Sequence, residues 1–271
     1  MEPLYAIRPL YVEAISILSH GLAPQKSITL VSALSLFLIA ALLLIWTHSP
    51  LYSALLLFTP AVLTLGRMGT ADAFSTLLVV AGFWLLMKNL IPPAIFVLLI
   101  SVWIRTDNVL AVVAALMWLT WTKRLSPLRA GGLIALAVAS VVFINHRAGN
   151  YGYLVLFRYS FIAGKYPAEI LPTLSVSEYL HAFRVGAESI LPQTAPWVLL
   201  GVVGWRWLPS ARGLLVTTAA ATVHFVLFPS PEARYLVWAY LLCGIMFVVG
   251  ASTRGRILPT EMNAEPRPLA A

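Results

Sequence analysis

Four short segments of the chain place charged and hydrogen-bonding side chains directly beside long apolar runs. Three of the four combine an arginine with a carboxylate. Arginine suits phosphate because its planar guanidinium donates two parallel hydrogen bonds, and aspartate or glutamate can act as a general base toward a hydroxyl group. Side chains of these types, placed together, indicate chemistry on a phosphate-bearing ligand. The four segments are residues 67–72, 105–108, 150–153 and 229–235.

Nine residues of these segments are candidates for a functional site. Asp72 and Asp107 are the candidate catalytic carboxylates. The candidate residues for binding phosphate and substrate are Arg67, Arg105, Asn150, Tyr151, Glu232, Arg234 and Tyr235. For any one segment alone, the alternative is that its charges are helix caps, short ion pairs and anchors at a membrane surface. Acidic residues suit a helix N-terminus, and arginine extends readily from apolar surroundings to water.

The composition of the chain excludes a soluble domain. Of its 271 residues, 60% are hydrophobic and only 10% are charged, whereas soluble proteins carry about a quarter charged residues. A helix needs about 20 mostly apolar residues to cross a bilayer, and the strands of an outer-membrane barrel alternate instead of running apolar. We therefore predict an all-α, polytopic transmembrane helical bundle. The net charge of +8 implies no nucleic-acid partner, because the positive-inside rule accounts for it.

The apolar runs predict about nine spans within a single domain, residues 1–250. An interfacial helix is predicted in residues 1–26, where Leu10 and Ile17 share an apolar face. Residues 146–195 are predicted as one long outer loop that contains a helical stretch. The nine runs are residues 27–46, 51–66, 71–87, 92–104, 109–121, 130–145, 196–207, 213–228 and 235–250.

The connections between these runs carry unequal charge, which predicts the orientation in the membrane. One side is purely basic up to the C-terminal tail, and the other side receives eight of the ten acidic residues. By the positive-inside rule the basic side is cytoplasmic. The N-terminus is then outside, and the tail, residues 251–271, is cytoplasmic and disordered. The four segments fall on the outer face of the cytoplasmic membrane.

The order of these segments resembles the GT-C class of polytopic membrane glycosyltransferases, which includes mannosyltransferase-like and RgtA-like bacterial proteins. The similar stretches are residues 5–14, 70–78, 104–110, 150–152 and 232–236. The resemblance implies transfer of a sugar from a polyprenyl-phosphate donor to an acceptor on the outer face of the membrane. Arg105 and Arg234 would hold the phosphate, and Asp72 or Asp107 would orient the sugar or the acceptor. No cofactor is implied, and a divalent-metal requirement stays open.

The chain departs from this family at its beginning. The family carries its catalytic aspartate in a first outer loop, whereas this sequence starts at the interfacial segment that follows that loop. We expect either that a preceding segment is missing from the sequence or that the protein is a reduced relative. The alternative function is a non-catalytic lipid-phosphate-binding, flippase-like or assembly protein. His224, the only ionisable residue well inside an apolar run, is interpreted as a satisfied intramembrane side chain and not as a ligand.

Overall fold

The computed structural model describes residues 8–67, 69–149, 152–163, 172–205 and 211–248. Within these ranges the chain is helical and contains no strand, which confirms the predicted all-α class. Two of the described helices, Pro24–Thr47 and Pro127–Arg147, are long and apolar enough to cross a bilayer. At 1.5 Å per residue they extend for about 30 Å or more. Among the other described helices, the apolar ones of 10 to 17 residues are shorter than the roughly 20 residues that a span needs.

Proline begins many of the helices, because its missing N–H costs nothing at the first helical position and its φ angle is already helical. Ser49 and Ser126 also cap helix N-termini, each accepting a backbone N–H with its side chain. In chain order the helices are α1 Pro9–Ser19, α2 Pro24–Thr47, α3 Pro50–Leu57, α4 Pro60–Arg67, α5 Asp72–Met87, α6 Ile91–Ile104, α7 Val109–Trp121, α8 Pro127–Arg147, α9 Gly152–Arg158, α10 Val176–Trp205 and α11 Ala211–Leu227. A 3-10 turn, Ala233–Leu236, leads into α12, residues 237–248.

The predicted second span, residues 51–66, is wrong as a single helix. The chain forms α3 and α4 there instead, with the break at Phe58 and Thr59. Pro60 cannot donate a backbone hydrogen bond to the preceding turn, and the Thr59 hydroxyl donates to the carbonyl of Leu56 at 2.9 Å. Each of the two helices has eight residues.

Much of the predicted outer loop, residues 146–195, is helical. It contains α9, a π-helical turn at Tyr159–Ala163 and the first two thirds of α10. The predicted helical stretch therefore exists, but it continues without interruption into the run at residues 196–207. Pro192 and Pro196 lie inside α10 and do not end it, although each removes one backbone hydrogen bond and crowds the carbonyl of the preceding turn.

The predicted N-terminal helix is present as α1. Its buried side chain is Tyr11, which packs against Val31 and Ile104. Leu10 and Ile17, on the predicted apolar face, are exposed. One face of α1 thus rests on the protein, and its other apolar face is uncovered.

Helices α5, α6 and α7 form the centre of the bundle, with the start of α5 beside the end of α6 and the end of α5 beside the end of α7. Gly82 allows α5 and α6 to approach closely, because a Cβ atom there would lie only 2.6 Å from Cγ of Leu98. At one end, Arg124 after α7 donates to the carbonyl of Leu86 in α5 at 3.3 Å. At the opposite end, Asp72 and Arg105 are in contact. The basic connections and the acidic cluster therefore lie at opposite ends of these helices.

Candidate functional site

Arg105 joins two aspartates at the end of α6. Its backbone is extended (φ −150°, ψ 122°), and a 3-10 turn, Thr106–Asn108, follows. This turn folds Asp107 back onto the guanidinium, whose Nε donates to Oδ1 at 3.0 Å and whose Nη2 donates to Oδ2. The remaining nitrogen, Nη1, donates to Asp72 at the start of α5. The side chain of Arg105 is only 7% exposed, so one buried cation serves both carboxylates.

Arg234 reaches the same cluster from the turn before α12. Its Nη1 lies 3.4 Å from Oδ2 of Asp72, and its Nε pairs with Glu232. The ring of Tyr235 lies against both arginines, with its centroid 4.6 Å from Cζ of Arg105 and 5.1 Å from Cζ of Arg234. Such contacts stabilise a cation against an aromatic face. Three sequence segments that are up to about 160 residues apart thus meet in one cluster.

A buried polar network holds the 3-10 turn in place. The side-chain amide of Asn108 donates to the Ser75 hydroxyl at 2.8 Å and to the Ser101 carbonyl at 2.9 Å. These contacts tie the turn to α5 and α6 directly beside the two aspartates. A satisfied buried network of this kind rigidifies its surroundings, so the relative positions of Asp72, Arg105 and Asp107 are set by the packing of the helices.

The charges of the cluster shift the acid–base properties of its members. Burial alone would raise the pKa of Asp107, but the charge of Arg105 and contact with His224 outweigh it, and the pKa lies well below its usual range. Burial likewise would lower the pKa of Arg105, yet the charges of Asp107 and Asp72 hold it above its usual value. A carboxylate with so low a pKa accepts hydrogen bonds but is a weak proton acceptor.

A cavity of about 560 Å³ opens beside this cluster. Its charged lining consists of Arg8, Arg105, Asp107, Glu232 and Arg234. Asp72 is 2% exposed and is not part of the lining. Of the two predicted catalytic carboxylates, therefore, Asp107 faces the cavity and Asp72 lies behind it. Aromatic side chains complete the wall: Tyr153, Tyr159, Phe161, Phe228 and Tyr235.

Two charged or titratable residues of the site have no role in the sequence-based assignment. Arg8 lies just before α1 and lines the cavity, and its guanidinium makes no ion pair with any part of the chain that the structure describes. His224 lies in the last turn of α11, with Nε2 3.2 Å from Oδ2 of Asp107. The sequence does carry a signal for a functional role of His224: it is the only ionisable residue well inside an apolar run, and such residues are costly in lipid and are often functional.

The structure does not describe the side chains of the three remaining candidates. Asn150 and Tyr151 lie outside the described residues. Arg67 is the last residue of α4, and its side chain also lies outside the described part. Tyr153, from the same segment as Asn150, does line the cavity, and its hydroxyl donates to the carbonyl of Leu227 at the end of α11.

A second cavity, of about 290 Å³, lies between α10, α11 and α12. Its lining is largely apolar and includes Phe183, Ile190, Phe225 and Leu236. Phe228, just after α11, and Tyr235, in the turn before α12, line the charged cavity, whereas Phe225 and Leu236 line the apolar one, so neighbouring stretches of the chain line both cavities. A charged cavity beside an apolar one is suited to an amphipathic ligand.

Among the described residues, no three His, Cys, Asp or Glu side chains are grouped as they would be around a metal ion. No protein-family model, no curated protein and no solved structure matches this chain.

Proposed function

We propose that the chain is a multi-pass protein of the cytoplasmic membrane that transfers a sugar from a polyprenyl-phosphate donor to an acceptor on the outer face. The observation that carries this proposal is the 560 Å³ cavity in which arginines and carboxylates meet beside apolar helices. Arginine suits the phosphate of the donor, and carboxylates suit the hydroxyl groups of a sugar or an acceptor.

The exposed surface supports placement in a membrane. Large apolar side chains such as Phe37, Phe58 and Leu128 are 69%, 71% and 87% exposed. Soluble monomers seldom expose extensive apolar patches, and lipid chains would cover these side chains. The shorter apolar helices would then pack with the two long ones inside the bilayer, and the charged cavity would lie at the membrane surface.

In this proposal the roles differ from the sequence-based assignment. Arg105 is committed to Asp72 and Asp107, so in this proposal it positions carboxylates. Arg8 and Arg234 hold the phosphate; Arg234 also pairs with Asp72 and Glu232, but it is more exposed than Arg105, at 17% against 7%. Glu232, which pairs with Arg234 and whose side chain is 46% exposed, is the carboxylate of the cavity most open to an incoming hydroxyl group and takes its proton in this proposal.

In the transfer step, the acceptor oxygen forms a bond to the anomeric carbon of the sugar while its proton passes to Glu232. The bond between that carbon and the phosphate oxygen breaks, and the electron pair leaves with the polyprenyl phosphate. Arg8 and Arg234 would stabilise the charge that develops on this leaving group, an electrostatic contribution that is often the largest in catalysis. The apolar cavity lined by Phe225 and Leu236 would receive the start of the prenyl chain.

The test is transfer of a labelled sugar from a polyprenyl-phosphate donor to membrane acceptors, in membranes that contain the protein. We expect Arg234→Ala to reduce the initial rate by about 100-fold, a typical loss when one transition-state donor is removed. Arg184→Ala is the matched control, because Arg184 is 69% exposed on α10 and does not line the cavity. Undiminished transfer by the Arg234 variant would contradict the proposal.

A second candidate, a non-catalytic binder of lipid phosphates, is favoured by one observation. Both carboxylates predicted to be catalytic are bound by Arg105, and Glu232, the other carboxylate of the described cavity wall, pairs with Arg234. Tight binding of the donor with no turnover, unchanged by Glu232→Gln, would support this binder over the transferase.

A further inference from the structure

His224 contacts Asp107 but does not itself line the charged cavity. It is 2% exposed and packs edge-on against the ring of Phe228, with ring centroids 5.7 Å apart. The turn of α11 that carries it is fixed from outside, because Tyr153 donates to the carbonyl of Leu227 and Tyr179 donates to that of Val226. The imidazole therefore has a defined position behind a carboxylate that faces the cavity.

Nε2 of His224 lies 3.2 Å from Oδ2 of Asp107, which is an ion-pair distance without hydrogen-bond geometry. The contact is favourable with the ring hydrogen on Nε2, because an ionised carboxylate only accepts. Nε and Nη2 of Arg105 donate to Asp107, and Nε2 of His224 adds a contact on the side of Oδ2. A carboxylate offers about four acceptor positions. One position on Oδ1 is thus left, on a side chain that lines the cavity.

We propose that His224 is a positioning residue that fixes Asp107 so that its remaining acceptor position selects ligands bearing a hydroxyl group. This inference rests on the proposed function and specifies how the site distinguishes its donor. Arg8 and Arg234 bind any anionic lipid headgroup. Asp107, held by Arg105 and His224, adds affinity only when a sugar hydroxyl is present to donate to it.

The alternative is that His224 merely fills space beside Phe228. The two roles differ in what the residue at position 224 must supply. A space-filling role needs only a side chain of similar size. The positioning role needs an N–H at the place of Nε2, which the longer Gln side chain can supply and the shorter Asn side chain cannot.

The experiment measures binding of two probes to the full chain in nanodiscs. One probe is a short prenyl phosphate, and the other is the same prenyl phosphate esterified to a hexose. Wild-type protein should bind the hexose probe about tenfold or more tightly, as a hydrogen bond to a charged group contributes a factor of that order. His224→Asn and Asp107→Asn should lose this preference, and His224→Gln should keep it.

The outcomes separate this inference from the function on which it rests. The inference is overturned if His224→Asn keeps the preference, or if it weakens binding of both probes equally, as a structural defect would. A wild-type protein that binds both probes with equal affinity also overturns it, while anionic-lipid binding itself stands. If wild-type protein binds neither probe, the proposed function fails with it. Thermal unfolding of the His224→Asn and Asp107→Asn variants, compared with wild type and with His224→Gln, checks that the preference is measured on folded protein.

Discussion

At the scale of single residues, the sequence indicates the chemical types of the site but not their partners. The pairing of arginine with carboxylate is visible in three segments, and the structure brings two of these, together with Asp72, into contact. Arg105 binds Asp72 in addition to Asp107 because the start of α5 meets the end of α6, a contact between residues 33 positions apart in the sequence. No local pattern encodes such a contact. The partner of His224 depends likewise on the packing of α11 against the 3-10 turn.

Replacing Arg105 with alanine should destabilise the protein strongly. The change leaves Asp72 and Asp107 buried without their common cation, and breaking a buried pair costs about 3–5 kcal/mol. The measurement is denaturant or thermal unfolding of the purified chain in detergent. Arg184→Ala should differ from wild type by no more than about 0.5 kcal/mol, since Arg184 is exposed. Similar stabilities for the two variants would contradict the described cluster.

The low pKa of Asp107 predicts how its contribution to stability depends on pH. A carboxyl whose pKa is lower in the folded than in the unfolded state stabilises the fold above its unfolded pKa, about 3.9. That contribution is lost as the pH falls toward the folded value. The stability difference between wild type and Asp107→Asn should therefore be constant from pH 5 to pH 8 and shrink below about pH 4. A difference that already falls between pH 7 and pH 5 would show that Asp107 is not held ionised.

At the scale of helices, the apolar runs predicted to begin at residues 27, 51 and 130 correspond to α2, α3 and α8, which begin at Pro24, Pro50 and Pro127. The same signals mislead where packing overrides them. Two prolines suggest a boundary inside α10 that is absent, and Pro60 divides a run that its hydropathy joins. Boundaries of this kind depend on tertiary contacts, which an apolar pattern does not contain.

The contact between α10 and the segment that leads to Glu232 gives a test at this scale. A Cβ atom at Gly186 would overlap the backbone carbonyl of Pro229, so Gly186→Ala must displace that segment. We expect a loss of about 1–3 kcal/mol in stability from overpacking, together with weaker binding of prenyl phosphate. Gly132→Ala in α8 is the control, because the space around Gly132 is open. In that control, alanine should leave binding unchanged and stabilise the helix slightly.

At the scale of the whole molecule, the charge asymmetry read from the sequence corresponds to two separated ends of the central helices. Lys88 and Arg124 flank one end, and Asp72, Arg105 and Asp107 cluster at the other. The orientation of these ends in a membrane is a prediction from the positive-inside rule. The number of spans is likewise a prediction, because the sequence indicates nine runs, whereas two of the described helices are both long and apolar enough to cross a bilayer.

Cysteine labelling tests the proposed orientation. On a Cys243→Ser background, a cysteine at exposed Glu188 should react with an impermeant maleimide in intact cells. A cysteine at Lys88, which follows α5 at the end away from Asp72, should react only after the membrane is permeabilised. The reverse pattern, or equal reaction at both positions, would contradict the proposed topology.

The most direct test of the central claim is binding of a short prenyl phosphate to the purified chain in nanodiscs, compared between wild type and the double variant Arg8→Ala, Arg234→Ala. If the cavity holds the phosphate through these two arginines, the double variant should bind about 100-fold more weakly or worse, since each charged hydrogen bond contributes about 1.5–3 kcal/mol. Arg184→Ala should bind as wild type does. Equal affinity of the double variant and the wild type, or no binding by either, would contradict the account.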